Sequence, residues 1–361
     1  MELLIQPGAG ASALLNAIHS AAQSIEIIIF RFDRRDIESA LESAAARGVF
    51  VHALVTYTNR GGEKSLRKLE MRLLESGVTV ARTAADLARY HDKLVIIDRR
   101  RLFLLTFNFT SLDIDHSRSF GIVTEDRHLV QEAVKLFEAD TTRQPYTAGH
   151  DSFIVSPVNA RRELAQFISG ARRQLLIYDP KVSDGPMIGL LQERIKEGVD
   201  VRVIGRTGRV GREIATRKLS RLRLHTRTMI RDGELAFLGS QSLRGAELDA
   251  RREVGIVVND STVVSALTTT FESDWVAAEP SETPQKETKT LKKAVKGVLK
   301  DLPPLAPVVS EVFQEILRER GQAKLSPGVV EEAVREAVKD AVTDGIKDAI
   351  KETLVGVGQE G

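Results

Sequence analysis

Two histidines carry the chemistry this sequence offers. The first stands in Tyr90-His91-Asp92-Lys93-Leu94-Val95-Ile96-Ile97-Asp98, with Leu105-Thr106-Phe107-Asn108 six residues later. The second stands in Leu224-His225-Thr226-Arg227-Thr228-Met229-Ile230-Arg231-Asp232, with Gly239-Ser240-Gln241-Ser242 six residues later. One spacing serves both: histidine, a base two residues on, an aspartate five further, then a hydroxyl and an amide or second hydroxyl. Eleven residues beyond come Ser119 and Glu253, in SRSFGIV and RREVGIV. Residues two apart share one face of a strand, so His91 with Lys93, and His225 with Arg227, are expected as side-by-side pairs on rigid strands. A fixed cation neutralises nonbridging phosphate oxygens, while imidazole attacks phosphorus or moves a proton. Thr106, Asn108 and Ser240 would add hydrogen-bond donors. Two histidines are what a two-step displacement at phosphorus needs. One becomes a phosphohistidine; the other protonates the leaving alcohol and then activates the acceptor. That scheme needs no metal, and no cofactor is expected.

The elements that position these motifs also come twice. Ser12 to Ser24 reads as a helix with Leu14, Leu15, Ile18 and Ala22 on one face. Ile25 to Phe30 is a short apolar run typical of a buried strand. Asp36 to Arg47 is a second helix, stopped by Gly48, and Val49 to Thr56 a second strand. The same order returns from Arg162 to Gly205. There Leu164, Ile168 and Ala171 form a helical stripe, Gln174 to Tyr178 a strand, Met187 to Glu197 a helix, and Val199 to Ile204 a strand. Strands alternating with helices of about 12 residues imply an α/β sheet with right-handed crossovers. A duplication of this length suggests two α/β halves meeting face to face.

The doubled motif resembles the phospholipase D superfamily, whose members carry H-x-K-x4-D-x6-G-S-x-N twice. The resemblance covers residues 1 to about 278. It implies an α/β fold of two duplicated halves, 1–145 and 146–278, with the active site at their interface. It implies a phosphodiesterase or phosphatidyltransferase that needs no metal and works through a phosphohistidine. Phospholipid is the leading substrate, an endonuclease of the same chemistry the alternative, and a decayed anion-binding member a third reading. Residue by residue, His91 would be the nucleophile and His225 the general acid and base. Lys93 and Arg227 would bind phosphate, helped by Asn108 and Ser240 or Ser242. Glu253 would orient His225 through its Nδ1–H, and Asp98 and Asp232 would support the motif loops. The sequence departs from the pattern at Arg227 for lysine, at Leu105-Thr106 for Gly-Ser, and at Ser242 for asparagine. Ser119 stands where a carboxylate partner for His91 would be expected, which leaves Asp113, Asp115 or a hydroxyl to serve instead.

Composition sets the bounds. The chain has 361 residues, 42% hydrophobic and 28% charged, with a net charge of +2; this is a globular balance. Zero cysteines exclude thiolate catalysis, disulfides and Cys-ligated zinc. No apolar run is long enough for a transmembrane helix, and Met1 to Gly8 lacks the look of a secretory signal. A cytoplasmic protein with peripheral membrane contact is therefore expected. Arg202 to Arg231 holds ten bases against Glu213 alone, a candidate anion-binding run. Residues 279–290 read as a Pro-containing linker and 291–361 as a helical tail. Within 286–302, Leu291, Val295, Val298, Leu299 and Leu302 oppose a lysine face, a pattern suited to anionic lipid. Residues 327–355 repeat acid, small, aliphatic, variable, as expected of helix packing or self-association.

Overall fold

The computed structural model describes residues 1–57, 63–208, 211 and 213–280. The first half opens with the strand Glu2–Gln6 and the helix Ser12–Ser20, which buries Leu14, Ala17 and Ile18. This helix is shorter than expected, because the backbone turns extended at Ala21. The strand Ser24–Ile29, the helix Arg35–Ala46 and the strand Phe50–Val55 follow. In the second half the helix Ala160–Ser169, the strand Gln174–Val182, the helix Gly185–Lys196 and the strand Asp200–Thr207 take the same places. The paired strands are parallel and almost wholly buried, as a sheet covered on both faces requires.

The motif strands run against these, so each sheet is mixed. In the first sheet the order is Glu2–Gln6, Ser117–Thr124, Arg101–Leu105, Leu94–Ile97, Ser24–Ile29, Phe50–Val55, Thr79–Arg82. In the second it is Phe153–Ser156, Arg251–Val258, Leu235–Gly239, Arg227–Arg231, Gln174–Val182, Asp200–Thr207, Ala215–Lys218. Tight turns with positive φ at Asp98 and Arg99, and at Asp232 and Gly233, fold the motif strands into hairpins.

Two short strands change sides. Arg89–Tyr90 of the first half pairs with Arg251 and Arg252 of the second; Arg223–Leu224 of the second pairs with Ser117 and Arg118 of the first. A core common to both halves lies behind them. Leu94, Leu104, Phe120 and Ile122 pack there in one cluster with Tyr178, Leu238, Val254 and Ile256. Glu279–Pro280, read above as the start of a linker, instead pairs with Arg217 and Lys218 at the sheet edge. The rest of that linker, the helical tail 291–361, the lipid-facing segment 286–302 and the self-association segment 327–355 lie outside the described residues. Among the described residues no helix is long and apolar enough to cross a membrane.

Candidate active site

The histidines do not sit within strands. The strand expected to carry His91 and Lys93 starts at Leu94, and the one expected to carry His225 starts at Arg227. The reason is the exchange of short strands: each chain segment is still bonded to the other half when it reaches its histidine. His91 N–H donates to the Arg252 carbonyl at 2.8 Å, and His225 N–H to the Arg118 carbonyl at 3.0 Å. Each motif cation then folds back on its own histidine. Lys93 Nζ donates to the His91 carbonyl, and Arg227 Nη1 to the His225 carbonyl at 2.8 Å.

Glu253 does not serve His225. Its Oε2 lies 2.9 Å from Nδ1 of His91. The repeat correctly marked Glu253 as one of a pair of equivalent positions with Ser119, but the strand exchange delivers it to the other half's histidine. His225 faces Asp113 instead, with Nε2 3.5 Å from Oδ2. Burial, with Lys93 and Arg227 nearby, holds His91 well below the usual histidine range. Burial lowers His225 likewise, against the pull of Asp113. Burial also pushes Lys93 down to about 7 and, together with Glu247, Glu253 up to about 8. The four motif side chains share one electrostatic neighbourhood, since Lys93 and Arg227 act on both imidazoles.

The hydroxyls and amides expected on phosphate are largely committed to the protein. Thr106 Oγ1 accepts the Phe120 N–H at 2.9 Å, and Ser240 Oγ accepts the Val254 N–H at 3.1 Å. Asn108 Nδ2 donates to Asp113 at 2.6 Å, and Ser242 Oγ accepts from Arg227 Nε at 3.1 Å. Thr106 and Ser240 therefore tie the motif loop to its neighbouring strand. Asp98 accepts the N–H groups of Ala22, Gln23 and Ser24, and Asp232 those of Arg172, Arg173 and Gln174. Each aspartate closes the turn before its sheet's first parallel strand.

Asp113 and Glu247 hold equivalent places beside the two motif loops; Asp113 lies against His225 and not His91, and the motif itself did not include Glu247. They stand the same 134 positions apart as the two histidines. Each caps its motif loop: Asp113 accepts the Asn108 N–H at 2.9 Å and Glu247 the Ser242 N–H at 2.8 Å. Their common position, five residues past Asn108 and Ser242, was the signal. Burial alone would raise Glu247, but Arg227, Arg251 and Arg244 hold it below the usual range. Part of the run from Arg202 to Arg231 is spent on partners within the protein, while Arg206, Lys218 and Arg221 stand exposed. Arg202 pairs with Glu272 at 2.8 Å, Arg223 with Asp113 at 2.6 Å, and Arg217 and Arg231 donate to the Trp275 and Phe167 carbonyls. Among the described residues no cluster of histidines and acids could hold a metal.

The family model described as cardiolipin synthase, PLD-like domain, matches residues 14–141 and 164–275. The mitochondrial cardiolipin hydrolase of Danio rerio is 29% identical over 132 residues, which is 36% of this chain and 57% of the relative. A phospholipase D of Rickettsia felis is 30% identical over 127 residues, 35% of this chain and 61% of the relative. The chain thus spans under two thirds of the length of both relatives. Among solved structures, a polyphosphate kinase from Porphyromonas gingivalis superposes with a TM-score of 0.65 at 20% identity. That match covers 82% of this chain and 55% of the kinase. The phosphatidylserine synthase of Haemophilus influenzae Rd KW20 superposes with a TM-score of 0.59 at 10% identity, covering 82% of this chain and 93% of the synthase. At these identities the likeness is one of fold.

Proposed function

The chain belongs to the phospholipase D superfamily, and on that premise we propose that it is a phosphodiesterase acting on phospholipid through a phosphohistidine. The observation that carries this reading is the meeting of two buried histidine–cation pairs, with Glu253 at Nδ1 of His91 and Asp113 near Nε2 of His225, each carboxylate coming from the opposite side of the seam. As a carboxylate, a form that grows as pH rises through about 8, Glu253 accepts the Nδ1–H of His91, so the lone pair for attack stands on Nε2. His91 Nε2 bonds to phosphorus, the bond from phosphorus to the leaving alcohol breaks, and His225 gives that oxygen its proton. The phosphoryl-bearing imidazole is cationic, and the Glu253 carboxylate offsets it. Water, or a second alcohol, then passes its proton to His225 and attacks phosphorus, which frees His91. The bound phosphate's negative charge favours the protonated form of Lys93, which then joins Arg227 in supplying positive charge to the equatorial oxygens, so the scheme calls on no metal. His225 must enter protonated; Asp113 and the incoming phosphate both favour that state.

The names of the relatives favour lipid over nucleic acid. The test is turnover of phosphatidylglycerol and phosphatidylcholine vesicles against single- and double-stranded DNA, with and without EDTA. Lipid turnover that resists EDTA and falls at least ~1,000-fold in His91→Ala and in His225→Ala is expected. Turnover of DNA alone would overturn the lipid assignment.

A further inference from the structure

The two halves are unequal around the site. Arg89 and Arg223 are counterparts 134 positions apart, as are Asp113 and Glu247, and Ser117 and Arg251. On the His225 side Arg223 Nη1 reaches Asp113 Oδ1 at 2.6 Å and Ser117 Oγ at 3.2 Å. The duplication calls for the same pair between Arg89 and Glu247. Arg251 stands where the first half has the small Ser117, and it takes Glu247 Oε1 at 3.2 Å. Arg227 lies 3.8 Å from the same carboxylate. Arg89 is left without a carboxylate at ion-pair distance among the described residues. Its guanidinium rests over Phe30, 5.4 Å from the ring centroid. The same ring meets His91 at 4.5 Å, Lys93 Nζ at 5.5 Å and the exposed Arg31 at 5.7 Å.

A half-buried guanidinium beside Arg251 and Arg31, with Glu253 and Glu247 acting on it only from beyond ion-pair distance, is costly to the fold, and a bound anion would relieve it. Burial and Arg251 together bring Arg89 down to about 10. We propose that Arg89, with Arg31 beside it, is a subsite for a second phosphate of the substrate, on the His91 side of the scissile diester. This rests on the phosphodiesterase reading and deepens it. Phe30 is 3% exposed and gives no open face for a nucleobase. That favours a lipid bearing two phosphates over a polynucleotide.

Binding reads the subsite without turnover. Calorimetry compares glycerol 1,3-bisphosphate with glycerol 1-phosphate on the full chain, on Arg89→Gln and on Arg251→Ser. The native chain is expected to prefer the bisphosphate about tenfold or more, and Arg89→Gln to lose that preference. Arg251→Ser leaves Arg89 in place but gives it Glu247, so the preference should fall there too. This second variant decides the matter if Arg89→Gln does not fold. A preference unchanged in the folded variants overturns the subsite. A larger loss on oligothymidylate than on the bisphosphate overturns the lipid occupant. Hydrolysis of bis(p-nitrophenyl) phosphate is followed in parallel and reports the phosphodiesterase reading alone. Its absence beside an Arg89-dependent preference would sink that reading and leave the subsite standing.

Discussion

Lys93 shows what the site costs at the scale of a residue. It is completely buried and its ammonium is bonded to a backbone carbonyl. Burial brings it from 10.5 down to about 7. Between those values the unfolded chain holds the proton and the folded chain does not, so stability rises with pH across that window. Below about 7 the folded chain bears the full burden of a buried charge. Lys93→Met should therefore abolish turnover and yet raise stability by about 1 to 3 kcal/mol near pH 6, a gain that fades toward pH 10. Thermal melts over that range check both sign and slope. The histidines and their cations were legible in the sequence because their spacing recurs. The partner of His91 was not, since Glu253 lies 162 positions away and reaches it only through the strand exchange. Ser119 showed that a carboxylate was missing in the first half, but not which imidazole it would have served.

At the scale of elements, the exchange of short strands is locked by two equivalent clamps. Arg252 binds Asp140 through Nε and Nη2, at 3.0 and 2.9 Å, and Arg118 binds Asp274 the same way at 2.7 and 3.0 Å. Each arginine also lends its carbonyl to the histidine opposite, so the clamp and the histidine backbone are one unit. Arg252→Met would strand Asp140 and the neighbouring Asp92, whose two oxygens have no hydrogen-bond partner. We expect a loss of about 3 kcal/mol at pH 8. Burial raises both acids, so their protonation favours the fold, and the deficit should shrink as pH falls toward 5. Urea melts at pH 8 and pH 5 test this, and an equal deficit at both would contradict it. Helices and long strands were readable from apolar periodicity, as Gln174–Val182 and Gly185–Lys196 show. The exchanged strands Arg89–Tyr90 and Arg223–Leu224 were not, because two residues carry no period.

At the scale of the whole molecule, near-neutral charge coexists with a strongly charged centre because acids and bases meet internally. Counting bases from Arg202 to Arg231 could not show that their partners, such as Glu272 and Asp113, come from elsewhere in the chain. The duplication itself was plain in sequence; its consequence, a core holding side chains of both halves, needed three dimensions. The region up to Pro280 should accordingly unfold in one transition, with equal calorimetric and van't Hoff enthalpies, and residues 1–145 alone should not hold a native fold. Two separate transitions for the halves would contradict a shared core. That shared core also underlies the roles proposed for the histidines, since it places Glu253 behind His91. The most direct measurement is to quench the enzyme during turnover of a phospholipid carrying labelled phosphorus and to map the acid-labile label by peptide sequencing. The account predicts label on His91, trapped in greater amount in His225→Ala. Label on His225, or none on either histidine while substrate is consumed, would contradict it.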